Sequence, residues 1–99
     1  MAQGSQCHIK CRARPGLFLE EMIVSLRTLD SKGRSTSATC LAYGDSIERK
    51  GEPDKAGVFD ASLKAYCMDR SADVAAVVLP QPTFENGPSV FVPASDLME

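Results

Sequence analysis

Four cysteines and a single histidine are the side chains here best equipped for chemistry, and three of the five stand together in Cys7-His8-Ile9-Lys10-Cys11. Thiolate and imidazole are zinc ligands, with Zn–S distances near ~2.3 Å. The spacing argues against that use. From Cys7 onward the chain alternates, with Cys7, Ile9, Cys11 and Ala13 on one face and His8, Lys10, Arg12 and Arg14 on the other, the period of a half-buried strand. At a rise of about 3.3 Å per residue, Cys7 and Cys11 lie roughly 13 Å apart, and His8 points the opposite way. Cys7, Cys11, Cys40 and Cys67 are therefore read as small core residues, with a metal site or a disulfide as the alternatives. No metal and no cofactor is expected.

The polar face of the same stretch carries His8, Lys10, Arg12 and Arg14. Alternate positive charges on a strand suit phosphates spaced along a nucleic acid. Lys10, Arg12 and Arg14 are thus the candidate residues for an anionic partner. Interleaved aromatic residues, on which single-strand binders stack bases, are missing. Cations also keep an edge strand from pairing with another molecule, and that reading is preferred.

Catalysis has little to draw on. His8 has no local serine or acid pattern beside it, and no phosphate-cradling or dinucleotide glycine pattern is present. An acid/base pair at a barrel mouth is the form an enzyme would take. Among the aromatic residues, Phe59 and Phe91 sit in apolar segments and are assigned to the core. Phe18 and Phe84 lie in loops beside glycine or proline, where an exposed ring would mark a contact surface; closing the end of the barrel is the preferred role for each.

The elements that must hold these residues are extended ones. Met22–Leu29 and Ser35–Tyr43 flank Asp30-Ser31-Lys32-Gly33 and read as a hairpin. Phe59–Met68 alternates, and Val74–Leu79 is apolar on both faces, a central strand wanting cover on both sides. Asn86-Gly87 is a turn signal, and Val90-Phe91-Val92 a last short strand. Leu17-Phe18-Leu19 is an apolar knot suited to plugging one end. Residues 44–57 form a polar loop in which Asp45, Glu48 and Gly51 have the spacing of one capped helical turn, followed by a mobile stretch.

The expected fold is all-β: a single small barrel or compact sandwich of about six short antiparallel strands over residues 7–97, with a frayed N-terminus at 1–6. Strand lengths and the long polar loop are similar to small SH3-like barrels, a likeness of architecture that leaves function open. A net charge of -2 disfavours binding to nucleic acid through overall charge, and no apolar run has membrane-spanning length. A start without a secretory pattern makes the cytoplasm the expected location. The leading functional expectation is a non-catalytic binding module acting through a protein partner or through self-association. A weak nucleic-acid or anion binder comes second, and an enzyme third. Val90, Phe91 and Val92, on an edge with no charged guard, are the expected interface of a homodimer.

Overall fold

The computed structural model describes residues 4–85 and 87–98. Eight strands form among them: β1 (Ser5–Pro15), β2 (Glu21–Leu29), β3 (Ser35–Tyr43), β4 (Ile47–Arg49), β5 (Phe59–Arg70), β6 (Val74–Val78), β7 (Ser89–Pro93) and β8 (Leu97–Met98). Five of them close a ring of antiparallel neighbours in the order β1, β2, β7, β6, β5 and back to β1. The remaining strands are added outside the ring, β3 on β2, β4 on β5 and β8 on β1. The molecule is a small closed barrel, one of the two architectures, barrel or sandwich, that the alternating segments allow.

Narrowness explains the composition of its interior. A ring of few strands leaves room only for side chains that fill it in one layer. Ile9, Val24, Leu63, Val77 and Val92 supply the bulk of the core, and Ala13, Ala42, Ala61, Ala65 and Ala75 fill the tight places. Cys11 and Cys40 are buried among them, while Cys7 and Cys67 are half-buried and pack against the same cluster. Burial raises the thiol pKa of Cys11 to about 12 and of Cys40 to about 11.

Two devices bend and close the ring. In β5 the register slips between Cys67 and Asp69, so Met68 is an extra, exposed residue and the strand turns onto β6. At the other seam β2 meets β1 through Met22–Ser25 and β7 only at Leu29 opposite Phe91. The 3-10 turn Ala94–Asp96 lies between β7 and β8. From it the buried Asp96 takes two hydrogen bonds from Arg27 of β2, at 2.9 and 3.2 Å. A fork of two parallel bonds fixes position as well as charge, and here it ties the last turn of the chain to β2.

Several expectations change. Ser5 and Gln6 belong to β1, opposite Cys67 and Tyr66, rather than to a frayed end. The basic strand is not an edge: β1 pairs β5 on one side and β2 and β8 on the other. Only Gly44–Ser46 is helical in the polar loop, as a 3-10 turn, and Glu48 is a strand residue opposite Ser62. The stretch after it is knitted rather than mobile, because Asp54 accepts the amides of Ala56 and Val58 and its main chain bonds Val58 and Gly57. Phe91 is 52 % exposed on the outer side of β7, whereas its neighbour Val92 is wholly buried. Asn86, half of the expected turn signal, lies outside the described residues.

Candidate functional site

One end of the barrel combines an exposed apolar loop with an apolar cleft. The loop joins β1 to β2. Leu17, Phe18 and Leu19 are 91, 72 and 93 % exposed, so they do not plug the barrel. They are nevertheless held. The amide of Gly16 donates to the Glu21 carbonyl (2.8 Å), and the Glu21 amide donates to the Phe18 carbonyl (3.1 Å). The buried Glu21 side chain adds a brace, with Oε1 accepting the Leu17 amide at 2.9 Å and Oε2 the Tyr43 hydroxyl at 3.3 Å. A β-carbon on Gly16 would overlap that carboxylate, which is why glycine stands there. Glu20 takes a φ of 65°, the left-handed region that a non-glycine residue occupies only under constraint. These bonds constrain the main chain of the loop and leave its three apolar side chains exposed.

Pro15 and Glu20, the residues bounding the loop, also line a cleft of about 390 Å³. Met22, Ile47, Pro53 and Phe59 give it an apolar wall, and Arg49 lies with its guanidinium 5.2 Å from the centre of the Phe59 ring. Arg49 Nε donates to the Gly51 carbonyl (2.9 Å), which anchors the cation over the ring. Gly44 and Gly57, both at positive φ, make the turns that form the rim. The volume is at the small end of the roughly 300–1,000 Å³ usual for ligand clefts. The cleft meets the loop at Pro15 and Glu20, while Leu17, Phe18 and Leu19 do not line it.

The basic residues are placed differently. Lys10, Arg12 and Arg14 are exposed along the outer face of β1, as alternation required. Arg12 faces two acids, Asp54 at 3.5 Å and Asp60 at 3.6 Å, so the middle of the stripe is partly neutralised. Phe84 is 64 % exposed, and its main chain pairs with β3 instead of closing the barrel. There the Phe84 amide donates to Thr39 O (2.7 Å) and Glu85 accepts the Thr39 amide (2.9 Å), covering part of the outer edge of β3. Val90 is half-buried, and Phe91 stands among half-buried Val74, Ala76 and Val78 on the outer face of β6 and β7. Among the described residues no group of three or more His, Cys, Asp or Glu is disposed to hold a metal ion. No helix among them is long and apolar enough to cross a membrane.

Sequence reasoning singled out Phe18 but missed Met22, Ile47, Arg49, Pro53 and Phe59 as one surface. Their convergence depends on β4 pairing with β5, a three-residue strand with little periodicity to reveal it. Comparison with protein families, with curated proteins and with solved structures finds no match.

Proposed function

We propose that the chain is a non-catalytic binding module that takes a protein partner at the end of its barrel, through Leu17, Phe18, Leu19 and the adjoining cleft. The observation that carries this reading is the brace. A chain that merely tolerated three exposed apolar residues has no need of a buried carboxylate, a glycine and a left-handed residue to hold them outward. Burying the three side chains is worth roughly 5–9 kcal/mol gross, at about 1.5–3 kcal/mol each. Association costs about 4–15 kcal/mol, so the loop alone binds weakly and the cleft has to contribute. The partner that suits this is an apolar peptide segment, with affinity of the micromolar kind. In this reading the small barrel follows an SH3-like plan and works in the cytoplasm.

The test is selection of ligands from a random peptide library on the immobilised chain, followed by affinity measurement. Enriched peptides are expected to be apolar and to lose at least tenfold in affinity to Phe18→Ser and to Ile47→Ser. Peptides whose binding neither substitution changes would overturn the reading. Self-association is a second reading, favoured by one observation: Phe91 is half-exposed on an outer face that Val74, Ala76 and Val78 leave apolar. It expects an isologous dimer in sedimentation that Phe91→Lys abolishes.

A further inference from the structure

The chain has nine cysteine, methionine and histidine residues, and five of them line one cleft: Cys7, His8, Cys67, Met68 and Met98. The cleft holds about 480 Å³ and opens where β1 begins, beside the end of β5 and β8. Its two other ionisable groups, Asp69 and Arg70, are of opposite sign. Net charge therefore selects nothing here, whereas two thiols and two thioethers in one lining are ligands for a soft metal ion.

The register brings the two thiols within reach of one ion. Cys7 stands opposite Ala65 and Cys67 opposite Ser5, so the cysteines lie diagonally across one antiparallel ladder and on the same face. Both are half-buried and pack against the core cluster. Diagonal neighbours have Cα atoms about 7–8 Å apart. A disulfide wants roughly 4.4–6.8 Å, so it suits this pair poorly without a shift of the backbone. An ion between the sulfurs suits it better: with metal–sulfur bonds near ~2.3 Å, as in zinc thiolates, two sulfurs can stand up to about 4.6 Å apart. Zinc itself takes four ligands, and among the described residues no three of His, Cys, Asp or Glu are disposed to hold a metal. A soft monovalent ion is satisfied by two thiolates, and the thioethers of Met68 and Met98 add ligands of the kind it selects. The Cys67 thiol donates to the Asp69 carbonyl at 3.5 Å, across the bulge in its own strand. Thiols are weak donors, so little is lost when a metal displaces that proton.

We propose that Cys7 and Cys67 form a two-thiolate site for a soft monovalent metal ion, Cu(I). Two thiols and one Cu(I) give the bis-thiolate complex and two protons, with no change of oxidation state. The site shares no residue with the loop and cleft assigned to a protein partner, and either assignment can fail without the other. The full chain, reduced and kept free of oxygen, is titrated into the coloured complex of Cu(I) with bicinchoninate, and loss of colour measures the copper withdrawn. One equivalent per chain is expected. Cys7→Ser and Cys67→Ser should each weaken binding at least thirtyfold, whereas Cys11→Ala and Cys40→Ala, changes of core thiols, leave it unchanged. NMR dispersion verifies the fold of each serine variant, and X-ray absorption of the loaded wild type should find copper bound by sulfur. Copper withdrawn in less than stoichiometric amount, binding that survives either serine substitution, or copper without sulfur ligands would overturn the proposal.

Discussion

Replacing Glu21 by alanine removes the acceptor that holds the β1–β2 loop. Two bonds go, from the Leu17 amide at 2.9 Å and from the Tyr43 hydroxyl at 3.3 Å. The first is short and runs to a carboxylate, a kind worth about 1.5–3 kcal/mol; the second is long and adds little. The Leu17 amide freed by the change lies in an exposed loop where water can reach it, so no full desolvation penalty follows. A loss of about 2 kcal/mol in unfolding free energy is expected for Glu21→Ala. Gly16→Ala reaches the same bonds from the other side, because its methyl group occupies the place of Glu21 Oε1 and drives the carboxylate out. It should cost about 1–2 kcal/mol. Since both changes act through one carboxylate, the double variant should be little worse than Glu21→Ala alone, a coupling of about 1–2 kcal/mol. Urea unfolding of the four proteins measures this, with equal m-values confirming a common denatured state. Costs that add to within about 0.5 kcal/mol would refute the brace, because sites that do not interact behave that way.

Three further outcomes are expected. Glu20→Gly should raise stability by up to about 1 kcal/mol, as it removes a left-handed non-glycine residue, and should weaken peptide binding by loosening the loop. Thiol titration of the native chain should find Cys7 and Cys67 reacting well before Cys11 and Cys40. With thiol pKa values raised to about 12 and about 11, only about one in 10,000 of the Cys11 groups and one in 1,000 of the Cys40 groups are thiolate at pH 8, so their reaction should speed up as pH rises. Arg27→Met leaves the buried Asp96 carboxylate without its fork and should lower the urea midpoint more than Arg14→Met, which breaks no ion pair among the described residues.

The strands were legible because the barrel is one layer thick. With the interior on one side and solvent on the other, Cys7–Arg14 and Phe59–Met68 alternate, and their pattern survives in the burial of β1 and β5. Val74–Leu79 misled for a related reason. Its outer residues Val74, Ala76 and Val78 are apolar but only half-buried, so periodicity suggests a full second layer where the fold has none. The polar loop does hold one helical turn, at Gly44–Ser46, but no side chain caps it and Glu48 lies beyond it in β4, because polar residues at that spacing serve turns as well as caps. Leu17-Phe18-Leu19 reads as an apolar plug, yet its side chains lie outside the barrel wall. Leucine and phenylalanine announce burial, and nothing local reveals that Glu21 holds them outward. The cleft was hidden altogether, since Pro15, Ile47 and Phe59 meet only through β1–β5 and β4–β5 pairing.

Binding of a partner by the loop and cleft can be mapped by NMR with a library-selected peptide added to the chain. Saturable shift changes are expected at Leu17, Phe18, Met22, Ile47, Arg49 and Phe59, with β6 and β7 silent. Changes concentrated on Val74–Val78 and Phe91, with the β1–β2 loop undisturbed, would contradict it and move the binding surface to the outer face of the barrel.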